Sequence, residues 1–136
     1  MTKKIKTLQT IHLAICAGMV AAYLFAGNLS VDTLTIPVID SGSVIFLAVP
    51  VAAFILSNFI FKSQLRHADS KLSAEENLPI YQTASIIRWA ILEGAAFVIL
   101  FLKPDFIIFG MLIILYLIYL RPTEDKINSA FQNFSR

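Results

Sequence analysis

The chain has 136 residues, of which 57% are hydrophobic and 15% charged, and its mean hydropathy is +0.75. Apolar residues gathered in long blocks exclude a water-soluble globular core and point to one domain of the all-α membrane class. A net charge of +2 is too small to draw nucleic acid; one cysteine, Cys16, excludes an intrachain disulfide and a Cys-rich metal site, and two histidines, His12 and His67, without ligand spacing give no support to zinc, haem or thiol-redox chemistry.

Lys3, Lys4 and Lys6 precede an apolar run over residues 8–26. A basic start before such a run also describes a signal peptide. The length of the run and the three apolar segments after it favour an uncleaved first transmembrane helix, closed by Gly27 and Asn28. Residues 28–43 read as a loop with a short extended or interfacial piece at 34–39, and Ser41 or Ser43 is placed to cap the next helix. The second span covers 44–61, and Pro50 within it predicts a kink near Phe46 or Leu47.

The hydrophilic stretch 62–82 reads as a loop, in which Ser73 and Glu76 have the spacing of a capping box. Pro79 then implies a very short helix or a kinked entry into the third span, 83–102. Tyr81 and Trp89 suit an interfacial belt. Lys103-Pro104-Asp105 forms a turn, with Asp105 placed to cap the fourth span, 106–120. That helix is short, roughly 22 Å, and crosses a bilayer if Tyr116 and Tyr119 lie in the interface. In the tail, Ile127, Ala130, Phe131 and Phe134 recur at helical spacing, which predicts an amphipathic helix over 123–134 along the membrane surface, the alternative being a frayed tail.

All eleven Lys and Arg residues except Lys103 lie in or beside the N-terminus, the middle loop and the tail, whereas Asp32, Asp40 and Asp105 lie on the side of Lys103. The positive-inside rule puts both termini and the middle loop in the cytoplasm. The expected architecture is four transmembrane helices as two hairpins plus a C-terminal surface helix.

Set over the third helix at an offset of 76, the first aligns Ile11 with Ile87, Ala14 with Ala90, Ile15 with Ile91 and Gly18 with Gly94. A parallel repeat of two hairpins is one reading, and chance likeness of apolar helices is the other. Ala14 and Gly18, with Ala90 and Gly94, make small-residue stripes that let helix backbones approach closely in lipid. They predict a central contact between the first and third helices.

Glu93 is the residue that asks for a functional explanation, because a carboxylate inside an apolar span costs several kcal/mol unless it is paired, protonated or hydrated. Arg88 lies five residues earlier, about 140° around the helix, too far for the usual intrahelical pair. His12, Asn58, Arg88 and Tyr116 fall at similar shallow depth on four helices. With Glu93 they form a candidate polar pocket on the cytoplasmic side; the plainer alternative is a snorkelling Arg88 and a locally satisfied Glu93.

One membrane-embedded glutamate among four helices resembles the small multidrug resistance transporters, but that family carries it on the first helix, where this chain has Ala17. The segment from Arg88 to Leu102 resembles the carboxylate-bearing helix of the rotary-ATPase proteolipid subunit, without the glycine-repeat partner helix. The segments IIRWAILEGAAF and LRPTEDK are similar to small four-helix bacterial inner-membrane proteins of uncharacterised function, which implies that location and no activity. The expectation is a non-enzymatic integral membrane protein without cofactors: a small subunit, assembly factor or scaffold that meets lipid and a protein partner or a second copy. The alternative is a small oligomeric proton-linked transporter with Glu93 as the titrating site.

Overall fold

The structure, a computed structural model, describes residues 2–27, 32 and 34–134. Among them are five α-helices and no strand: α1 Thr2–Ala26, α2 Ala48–Leu65, α3 Leu78–Leu102, α4 Ile107–Tyr119 and α5 Glu124–Phe134. Asn28, expected to help close α1, and the side chain of Phe134 lie outside the described residues. Lys3–Ala26, Val44–Leu65 and Leu78–Leu102 are each long and apolar enough to cross a membrane; Pro104–Tyr119 qualifies only together with α5, from which it is bent by 87°.

Local chemistry explains the boundaries. Val44–Leu47 winds as a 3-10 turn directly into α2, and Pro50 falls in the first turn of α2, where its missing N–H is not needed. The change predicted near Phe46 is therefore one of winding, within one continuous span. Ser43 makes no side-chain cap bond. Asp40 organises that turn instead: its Oδ1 accepts from the Gly42 and Ser43 N–H groups at 2.9 and 2.8 Å.

The capping-box bonds form reciprocally, Ser73 N to Glu76 Oε2 at 2.8 Å and Glu76 N to Ser73 Oγ at 3.2 Å. They close a turn ahead of α3 and leave Asn77 at its N-cap position. Asn77 is buried and clasps the loop, accepting from Asp69 N at 3.0 Å and donating to Asp69 O at 2.8 Å. α3 thus starts at Leu78, ahead of the expected span, with Pro79 in its first turn. Asp105 does not cap α4; it pairs with Lys103 at 3.4 Å, and the 3-10 turn Pro104–Phe106 supplies the entry.

α3 is the central helix. Its broadest contact is with α2, the next with α4, and a narrower one with α1, which also touches α4. α1 and α2 make almost no contact, so the first expected hairpin is not formed. Nor do the small-residue stripes meet. Ala14 and Ala90 are exposed, and a Cβ on Gly18 or Gly94 would find nothing within 4 Å. The buried stripe of α1 is Ile5, Leu8, His12, Cys16, Met19 and Tyr23. Ala14 and Gly18 stand two residues beyond His12 and Cys16, about 200° around the helix. Leu8, Met19 and Tyr23 take the interior, and Ala14 and Gly18 face outward together with Leu13 and Phe25.

The two helices nonetheless share one register. Adding 76 to the bounds of α1, 2 and 26, gives those of α3, 78 and 102. The buried stripe of α1 falls on Tyr81, Ala84, Arg88, Leu92, Ala95 and Ile99, all buried. The correspondence ends with these helices, since α2 has 18 residues and α4 has 13.

α5 is helical to Phe134 and turns its apolar face onto the bundle. Ile127 and Phe131 are buried, and the Phe131 ring lies 6.2 Å from that of Tyr81.

Candidate functional site

The polar groups gather at the basic end of the bundle, where α4 stops. A helix end leaves its last carbonyls without intrahelical donors. Here side chains of α1 and α5 supply them. His12 Nε2 donates to Leu117 O at 2.7 Å, and Gln9 Nε2 to Pro122 O at 2.8 Å. Lys126 Nζ donates to Tyr119 O and Arg121 O at 2.7 and 2.9 Å. A carbonyl only accepts, so His12 carries its proton on Nε2. Its ring packs 4.9 Å from Trp89, and Cys16 Sγ lies 3.6 Å from Nε2. With its proton committed to Leu117, Nε2 is no base for the thiol, and the basic nitrogen, Nδ1, lies 4.0 Å from Sγ.

At the neighbouring interface, Asn58 of α2 and Tyr116 of α4 bond to each other, at 2.9 Å from Nδ2 and 3.1 Å to Oδ1. Asn58 Nδ2 also donates to Phe54 O at 2.8 Å, which holds its amide in place. Arg88 is buried, with its guanidinium 3.6 Å above the centre of the Phe61 ring, a cation–π contact. Phe61 in turn meets Tyr81 edge-on at 5.6 Å. Arg88 Nε, Ser85 Oγ and Trp89 Nε1 are buried without a hydrogen-bond partner among the described residues.

Glu93 stands apart from these groups. It is half-buried on α3, at the border between buried Trp89 and Ala96 and the exposed face of Ile86, Ala90 and Gly94. No hydrogen bond or ion pair reaches it among the described residues, and Arg88 does not pair with it. The five predicted residues are therefore divided. His12 braces α4, Asn58 and Tyr116 tie α2 to α4, Arg88 rests on Phe61, and Glu93 looks outward.

Sequence reasoning missed the tightest junction. Tyr23 of α1 donates its phenol proton to Ala96 O of α3 at 2.6 Å. It does so across Gly110 of α4, where a Cβ would stand 2.7 Å from Tyr23 Cζ. The signal was a lone glycine within the fourth apolar run. No group of three His, Cys, Asp or Glu residues able to hold a metal occurs among the described residues. Comparison of the chain with protein-family models, with curated proteins and with solved structures finds no match.

Proposed function

We propose that the protein is a non-enzymatic multi-pass protein of the bacterial inner membrane, a small subunit, assembly factor or scaffold of a larger membrane complex. In this reading four spans cross the bilayer and the basic end is cytoplasmic, in accord with the positive-inside rule. Large apolar side chains that face outward, among them Leu13, Phe25, Ile55, Phe59 and Leu112, fit a lipid-facing surface. The buried polar side chains His12, Asn58 and Tyr116 tie helices together, and Cys16 Sγ lies 4.0 Å from His12 Nδ1, at the outer limit of a sulfur hydrogen bond.

The observation that carries the proposal is Glu93 beside Gly94. A half-buried carboxylate at the edge of the outward face, without a partner among the described residues, calls for one in another chain. The open surface at Ala90 and Gly94 lets a second helix come close enough to provide it. Pull-down in mild detergent from native membranes tests this. Wild-type protein should retain a stoichiometric membrane partner; Gly94→Leu should lose it at unchanged melting temperature, and Glu93→Leu should weaken it. Wild-type protein that comes out alone would rule the reading out. The same unpartnered carboxylate supports a proton-linked carrier as second reading, in which Glu93→Gln keeps the fold and abolishes proton movement.

A further inference from the structure

The basic end carries an open cavity of about 220 Å³ lined by Phe61, Tyr81, Arg88, Tyr119, Leu120, Lys126 and Ala130, with Arg88 buried at it and Tyr119 exposed. Arg88 and Lys126 open into it, and no carboxylate lines it among the described residues. Arg88 is only 8% exposed and its Nε finds no acceptor among the described residues. A buried charge is costly unless paired and hydrogen-bonded, so an arginine held this deep without an anion leaves strong donors idle. Its planar face is already used on Phe61, which leaves the edge, with its fork of N–H groups, for a ligand. Lys126 spends two of its three N–H donors on Tyr119 O and Arg121 O. Burial, and after it the positive charges of Arg88 and Arg121, lower the Lys126 ammonium from its ordinary value. The two cations therefore feel each other with nothing negative between them.

We propose that this cavity is a binding site for an oxyanion of phosphate size, held on the edge of the Arg88 guanidinium and by the free Lys126 N–H. The space suits one. A water takes about 30 Å³ of liquid, so a tetrahedral oxyanion fits with a few waters beside it. An arginine fork and a lysine point charge form a common pair for phosphate, and the Tyr81 and Tyr119 phenols stand at the walls as further donors. The ligand chemistry is a phosphate oxyanion, whether free in solution or on a lipid headgroup. α5 forms part of the wall through Lys126 and Ala130, so occupancy and the seating of α5 are linked.

The experiment follows the melting of the purified full chain in detergent by the fluorescence of its single tryptophan, Trp89. Inorganic phosphate is compared with chloride at equal ionic strength, for wild type, Arg88→Gln and Lys126→Gln. A parallel arm measures melting in nanodiscs of phosphatidylglycerol and of phosphatidylcholine. Phosphate should raise the wild-type melting temperature by several degrees; the gain should shrink in Lys126→Gln and vanish in Arg88→Gln. A gain seen only with phosphatidylglycerol, and lost in the variants, assigns the oxyanion to a lipid headgroup and also supports the site. No gain from either source, or the same gain in Lys126→Gln as in wild type, overturns the proposal. Lys126 is near the surface, so its variant decides the matter if Arg88→Gln does not fold.

Discussion

His12 of α1 and Arg88 of α3 occupy the same register in two helices of equal length, each the polar member of a six-residue buried stripe. Their fates differ because their neighbours differ. His12 meets the open carbonyl of Leu117 and donates to it at 2.7 Å, whereas Arg88 meets the face of Phe61, which accepts charge but no directed hydrogen bond. His12→Phe keeps a ring against Trp89 and removes the donor. Leu117 O still accepts from Leu120 N at 3.1 Å, so the loss should be modest, about 1 kcal/mol, read by thermal melting in detergent.

Gly110 should be far less replaceable than Gly18 or Gly94. A methyl at Gly110 would collide with the Tyr23 ring, while the other two positions open onto free space. Gly110→Ala should cost about 1–3 kcal/mol, partly relieved when combined with Tyr23→Leu. Gly18→Leu and Gly94→Leu should melt like wild type.

The small-residue stripes were legible in the sequence and their use was not. Spacing shows that Ala14, Gly18, Ala90 and Gly94 share helix faces, but bulky residues lie on both sides of α1, and it is Leu8, Met19 and Tyr23 that turn inward while Leu13 and Phe25 turn out. The C-terminal ends of α1 and α4 came through well, where Gly27 and Arg121-Pro122 punctuate them, whereas α1 starts at Thr2, six residues ahead of the expected span, because the helix runs on through Lys3, Lys4 and Lys6. α3 starts earlier than hydropathy suggests because Asn77, a polar residue, is buried by its bonds to Asp69. The scatter of the polar residues could not be read at all. Depth along a helix can be counted from sequence, whereas the partner across the interface depends on how the helices are arranged around α3.

Asn77→Ala should loosen the link between α2 and α3. The variant leaves the Asp69 N–H and carbonyl without their partners, a cost of about 1–3 kcal/mol. Hydrogen exchange should show faster exchange confined to residues 66–80, with α1 and α4 unchanged.

The turn at Asp40 should respond to acid. The backbone N–H of Ser43, the Ser43 hydroxyl and the Gly42 N–H stabilise its carboxylate and lower its pKa from the ordinary 3.8. A depressed carboxylate contributes in full above its unfolded pKa, and the contribution is lost as pH falls through the lower folded value. Protection of the Gly42 and Ser43 amides, taken against their intrinsic exchange rates, should therefore fall only below about pH 4, and Asp40→Asn, which retains an acceptor oxygen, should flatten that response.

Orientation is open to direct measurement. A reporter active only outside the cytoplasm should be silent when fused after Arg136 and active when inserted near Asp32. The opposite pattern would invert the proposed topology and place the Arg88 cavity on the outer side.

The bonds that hold α1 span unusual distances along the chain: Tyr23 to Ala96, His12 to Leu117 and Gln9 to Pro122 are separated by 73, 105 and 113 residues. During synthesis α1 is made before α3 and α4, and every one of these acceptors follows much later. At typical translation speeds the delay is roughly 5–20 seconds, long on the scale of helix motions. Through that interval the proposed first span waits in the membrane with the His12 ring, the Gln9 amide and the Tyr23 phenol unclaimed by their final acceptors. The polar side chains of α1 thus gain their final acceptors in two instalments, Ala96 with α3 and Leu117 and Pro122 only when α4 is complete.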